Sequence, residues 1–282
     1  MQRRALLAGL MAPGLARAAL PAGRSRIAFD EPSGAAPGPM TVELYRPAAW
    51  RPGGKVVAVQ HGLRRDAANY RDAWAPHAEA QGFLLICPHF SAAQFPGARY
   101  YNLGNARAPE AEWTFFALDR AVAAALRAVE APPAPFALYG HSAGAQFVHR
   151  YLLLTGAPRV SRLVIANAGW YSWPDFGIAF PYGLGDCAAT EAGLRAALTR
   201  PVTILLGEAD TDPNHPALRR DASSDRQGTT RFERGQAFFA AARMAATRYG
   251  VRFGWTLATV PGVGHSDAGM AGPAAEILAS AS

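Results

Sequence analysis

The chain has 282 residues, of which 50% are hydrophobic and 17% charged, so it carries ample apolar material for a core and is not globally disordered. The net charge of +7 does not mark a nucleic-acid binder. Every basic residue except Lys55 is arginine, and the arginines are scattered apart from pairs such as Arg64-Arg65 and Arg219-Arg220, with no basic face interleaved with aromatics.

Met1-Gln2-Arg3-Arg4 precedes an apolar run from Ala5 to Ala16 and the small-x-small sequence Ala16-Arg17-Ala18. That order is a charged start, a short hydrophobic stretch and a cleavage site, so residues 1–18 are expected to be an export signal and the mature chain to begin near Ala19, in the periplasm or outside the cell. Arg3-Arg4 resembles a twin-arginine signal, with the general secretory route open as well. The run is about half the ~20 residues a membrane-spanning helix needs, and Pro13 and Gly14 interrupt it; no stable membrane anchor is expected. The remainder, 19–282, is expected to be one domain, because α/β folds commonly exceed about 250 residues as a single unit. Cys87 and Cys187 are the only cysteines, too few for a disulfide-stapled fold. Cys87 ends an apolar run, where a buried thiol is at least as favourable as pairing with Cys187.

Along the chain, Arg26 to Phe29 and Thr41 to Tyr45 flank the Gly/Pro-rich Pro32 to Pro39 and read as an antiparallel edge hairpin. Six short apolar runs follow: Lys55 to Gln60, Phe83 to Cys87, Phe136 to Tyr139, Arg162 to Ala166, Val202 to Leu206 and Arg252 to Val260. Their length and mostly unbroken apolar character fit strands buried on both faces. Between them, Glu112 to Glu130 places Phe115, Leu118, Val122, Leu126 and Val129 at helical spacing. Pro132, Pro133 and Pro135 then stop the helix. Ala143 to Leu154 and Arg234 to Tyr249 also read as helices. Alternation of this kind predicts an α/β fold: a doubly wound, mostly parallel eight-stranded sheet with helices on both faces.

Gly140-His141-Ser142-Ala143-Gly144 lies directly after a predicted strand and directly before a predicted helix, the context that makes a G-x-S-x-G sequence a nucleophile elbow. A serine hydroxyl needs a base. Of the seven histidines, only His265 follows the last strand, in the glycine-rich Pro261 to Ser266. A carboxylate must fix the imidazole tautomer, and Asp210 follows the strand Val202 to Leu206, with Glu208 and Asp212 close enough to compete. The order Ser142, Asp210, His265 is that of the α/β-hydrolases. The oxyanion that develops during acyl transfer needs N–H donors, expected from the backbone of Ala143 and of Leu63, the latter in His61-Gly62-Leu63 after an inner strand. His61 itself is expected to bond loop backbone. His77, His89, His149 and His215 show no paired metal spacing, so no metal site is expected.

On these residues the chain resembles the α/β-hydrolases of the serine esterase type, over nearly all of 19–282. More loosely, it is similar to secreted polyhydroxyalkanoate depolymerase-like and feruloyl-esterase-like hydrolases. The resemblance implies a cofactor-free hydrolase that acts on a small-molecule or oligomeric ester through an acyl-serine. A serine peptidase or acyltransferase on the same scaffold, or a non-catalytic binding protein that kept the fold, are the alternatives. The aromatic-rich stretch 169–186 is expected to wall the substrate pocket, with Trp173 or Phe176 touching substrate, although aromatics at this density also suit a core.

Overall fold

Eight strands form one sheet in the order β1-β2-β4-β3-β5-β6-β7-β8 in the computed structural model, which describes residues 20–280. The export signal read at 1–18 lies outside the described residues. β1 (Gly23–Glu31) pairs antiparallel with β2 (Gly38–Arg46), and β2 antiparallel with β4 (Leu84–Pro88). β3 (Val56–Gln60), β5 (Phe136–His141), β6 (Val160–Ala166), β7 (Val202–Gly207) and β8 (Trp255–Val260) complete the sheet with parallel pairings. This is the α/β-hydrolase arrangement that the sequence resemblance implies.

The inner strands β3, β4, β5 and β7 are buried at every position, because helices cover both faces and alternate residues serve two cores. Val57, Val59, Leu85, Tyr139 and Val164 face α1 (Ala67–Gln81) and α8 (Asp267–Ala279). Ala58, Ile86, Leu138, Ile165 and Ile204 face the larger core beneath α3 (Phe116–Ala128), α4 (Ala143–Thr155), α5 (Glu191–Thr199) and α7 (Arg231–Arg248). Two single-turn helices, α2 (Gly97–Tyr100) and α6 (Ala222–Asp225), lie in the connections.

Every predicted strand is present, with shifted ends. Arg252 to Gly254 lie outside β8: a Cβ on Gly254 would come within 2.4 Å of the Thr199 carbonyl oxygen, so this segment passes against the end of α5 before pairing begins. α7 starts three residues earlier than its periodicity suggests, because Thr230 and Glu233 form a reciprocal capping box. Cys87 is buried in β4, its thiol pushed up by desolvation, and Cys187 is half-buried; both are free. Among the described residues no helix is long and apolar enough to cross a membrane.

Candidate active site

The chain reverses between β5 and α4 at Ser142, whose backbone sits at φ 56°, ψ −116°, a conformation that non-glycine residues rarely adopt. The flanking glycines explain how it is held. A Cβ on Gly140 would lie 2.5 Å from the Gly144 carbonyl oxygen, and one on Gly144 would lie 2.1 Å from that of Gln60. Bare backbone at both positions lets the elbow close against the end of β3. The Ser142 N–H is tied to Ala166 O at 3.0 Å.

His265 Nε2 lies 3.0 Å from Ser142 Oγ, and its Nδ1 lies 2.8 Å from Asp210 Oδ2. With Nδ1–H donating to the carboxylate, Nε2 is left to accept the serine proton. Asp210 is 4% exposed. The competing carboxylates are engaged elsewhere: Glu208 accepts from Thr259 Oγ1 at 2.7 Å, and Asp212 accepts from the Asn214 N–H.

Two further residues hold this arrangement, and the sequence reading did not single them out. Asn167, at the end of β6, accepts from the Gly207 N–H at 2.9 Å and donates to Gly264 O at 3.3 Å, joining the ends of two strands to the loop that carries His265. Arg231, at the start of α7, is buried; its Nη1 donates to Asp210 Oδ1 at 3.4 Å and its Nη2 to His215 Nδ1 at 3.1 Å. His215 therefore stands in the site, its ring 5.6 Å from that of His265, and desolvation lowers its pKa below the ordinary value.

The expected oxyanion donors also meet here. A Cβ on Gly62 would lie 3.7 Å from Ser142 Cβ, so the turn after β3 runs beside the nucleophile. Leu63 and Ala143 border the same cavity as Ser142. As the first residue of α4, Ala143 has no acceptor for its N–H within the helix, and the Leu63 N–H has no partner among the described residues. His61 is structural, as expected: fully buried, it accepts from the Phe90 N–H at 3.1 Å and meets the Tyr101 hydroxyl at 3.0 Å, and desolvation lowers its pKa to about 3.

Two cavities open on Ser142. One, of about 450 Å³, is bordered by Arg64, Tyr70, His141, His215, His265 and Asp267. The other, of about 280 Å³, is bordered by Leu63, Asn102, Gln146, Trp170, Leu218 and Arg219. A further hollow of about 530 Å³ lies over 213–225; Ser142 does not border it, but it adjoins the site through His215, Pro216 and Leu218, which also border the two Ser142 cavities. In the first cavity the Tyr70 hydroxyl is 3.0 Å from His141 Nδ1, and burial holds the His141 imidazole far below its usual pKa.

The expected substrate contacts Trp173 and Phe176 are a correction. Trp173 borders a separate groove with Met244 and Arg248 of α7, Phe176 packs partly buried on the main core, and neither borders a cavity at Ser142. Hydrogen bonds from Trp173 N to Tyr182 O and from Phe180 N to Gly185 O fold the stretch back on itself. Trp170 is the aromatic residue of the stretch that reaches the site, while Tyr171 and Phe180 are core.

The strand order, the strained elbow and the converging histidine and carboxylate define a serine hydrolase fold. No family model matches the sequence and no curated protein does. Among solved structures, the chain is similar to poly(aspartic acid) hydrolase-1 from Sphingomonas sp. KT-1, at 38% identity and a TM-score of 0.86 over 92% of this chain and 99% of that one. A poly(3-hydroxybutyrate) depolymerase from Bordetella parapertussis matches at 37% identity and a TM-score of 0.84, over 91% and 89%. An S-formylglutathione hydrolase from Agrobacterium tumefaciens, at 17% identity and a TM-score of 0.59 over 90% and 95%, shares the fold. The chain belongs to the α/β-hydrolase superfamily, in its serine esterase type, and is a hydrolase.

Proposed function

We propose that the chain cleaves carboxylic esters through an acyl-serine formed on Ser142. The observation that carries this reading is the unbroken hydrogen-bonded line from Ser142 Oγ through His265 to Asp210. Ser142 Oγ attacks the ester carbonyl while His265 Nε2 takes its proton, and the Asp210 carboxylate steadies the imidazolium. The carbonyl oxygen becomes an oxyanion held by the N–H groups of Ala143 and Leu63. Collapse of the tetrahedral intermediate expels the alcohol, which receives the proton from His265. Water, deprotonated by the same imidazole, then attacks the acyl-serine, and the acid leaves as Ser142 regains its proton. A pure binding role would have no use for this relay.

A second reading, amide hydrolysis, is favoured by the 38% identity to a hydrolase of poly(aspartic acid), whose units are joined by amide bonds. The same relay serves both bonds. Rates on nitrophenyl esters of graded length and on aminoacyl amides decide between them. Ser142→Ala should lower turnover on the order of 10⁶-fold in a protein that still folds. Near-wild-type turnover in that variant would overturn the mechanism.

Export rests on the sequence of 1–18, which fits a signal that is cleaved before Ala19. N-terminal sequencing of protein recovered outside the cytoplasm tests it; intact Met1 found only in the cytoplasm would refute it.

A further inference from the structure

We infer that Asn102 and Gln146 form a recognition pair for an amide carried on the acyl chain of the substrate, an inference that rests on the ester-hydrolase reading. Both side chains border the cavity of about 280 Å³ beside Ser142 and Ala143, and each is only 7% exposed. They are joined by one hydrogen bond, from Asn102 Nδ2 to Gln146 Oε1 at 2.9 Å. Each amide has two polar ends, so one mutual bond leaves one carbonyl and one amino group over. Asn102 Oδ1 and Gln146 Nε2 have no partner among the described residues, and neither is among the buried atoms lacking one, so both reach the cavity surface. Were both amides turned over, the pair would still present one donor and one acceptor.

The backbone that carries the pair is tied together. Arg150, fully buried one turn further along α4, donates from Nη1 to Asn102 O and to Gln146 O, both at 3.0 Å, and from Nε to Ser172 Oγ at 2.9 Å. One side chain thus binds the 102 turn, the helix behind the nucleophile and the aromatic stretch. Its guanidinium lies 4.1 Å from the Trp170 ring, and that of Arg219 lies 5.0 Å from the same ring, fixing the indole as the apolar part of the cavity wall. Gly169 keeps space beside the amide, since a Cβ there would lie 3.2 Å from Gln146 Nε2.

A donor and an acceptor side by side, next to a flat apolar wall, match a secondary amide: its carbonyl accepts from Gln146 and its N–H donates to Asn102. A plain alkyl chain in the same place would strip water from both groups and return nothing, which is how polar sites reject apolar analogues. The cavity borders Ser142 and Ala143 but not His265, which borders the other cavity; because the leaving alcohol must take its proton from His265, the alcohol is assigned to the His265 cavity and the acyl chain to this one.

The test compares 4-nitrophenyl N-acetylglycinate with 4-nitrophenyl pentanoate, acyl chains of equal backbone length with and without an amide. The intrinsic reactivity of the two esters cancels when the ratio of kcat/KM in wild type is divided by that in a variant. Gln146→Met keeps the volume and removes the donor, and the ratio should fall about tenfold. Gln146→Glu keeps the bond to Asn102 while replacing the donor with an acceptor, and the ratio should fall at least as far. A ratio within twofold of wild type in either folded variant would overturn the inference. Failure of wild type to turn over any nitrophenyl ester would instead remove the ester reading beneath it.

Discussion

Arg231 places its guanidinium 3.4 Å from the carboxylate of Asp210, and both side chains are buried to within a few per cent. The other carboxylate oxygen receives His265, so Asp210 is balanced between a permanent cation and the imidazole it orients. Arg231 is a positioning residue: it holds the carboxylate and touches no reacting atom.

Arg231→Met should therefore act on both stability and turnover. Removing one partner of a buried pair strands the other, at a cost of about 3 kcal/mol. The kcat should fall by less than the ~10⁴-fold cost of disabling a relay carboxylate outright, and Arg231→Lys should restore part of both losses. Urea unfolding and ester kinetics on the three proteins check this, and an Arg231→Met protein with wild-type kcat would show that Asp210 needs no such support.

Gly144→Ala places a methyl 2.1 Å from Gln60 O and 2.6 Å from His61 O, both backbone atoms at the end of a central strand. The elbow or the oxyanion turn must move, with a stability loss above the ordinary overpacking cost of about 1–3 kcal/mol. Gly38→Ala, where nothing lies within 4 Å and φ is not positive, should stay within about 0.5 kcal/mol of wild type. Equal losses in the two variants would contradict the packing account.

Trp170→Phe trims the aromatic wall beside Ser142 and should change the ratio of rates on short and long esters by about three-fold or more, the scale of a lost aromatic contact. Trp173→Phe, in the groove against α7, should leave that ratio where it is. The reverse pattern would reinstate Trp173 as the substrate contact.

The sequence shows part of this site and hides the rest. Ser142 is visible because two glycines and a strand-helix boundary surround it, and His265 and Asp210 because chain order and strand ends constrain them. Arg231 is invisible: it is one arginine among many, placed at Asp210 only when α7 packs against β7. Asn167 is hidden in the same way, since its partners Gly207 and Gly264 are 40 and 97 residues away. The aromatic stretch stands out in the sequence, yet that Trp170 rather than Trp173 borders the site depends on how the stretch folds back on itself, not on its order along the chain. The period of α1 is weak because the helix is alanine-rich and carries Pro76 within it.

Asp267, the first residue of α8, borders the His265 cavity and accepts from the Tyr139 hydroxyl at 3.1 Å. Burial raises its pKa from 3.8 to about 7. The folded state thus holds its proton more tightly than the unfolded chain does, so stability from this group is fully present in acid. It is lost as pH climbs from the unfolded value toward about 7, where the loss levels off. A shift of about three units corresponds to at most about 4 kcal/mol. Asp267→Asn is neutral throughout and should escape this loss. Unfolding free energies of the two proteins should then be similar near about pH 4 and diverge in favour of the variant by about pH 8. A difference that stays constant across that range would show that the carboxyl titrates as it does in water.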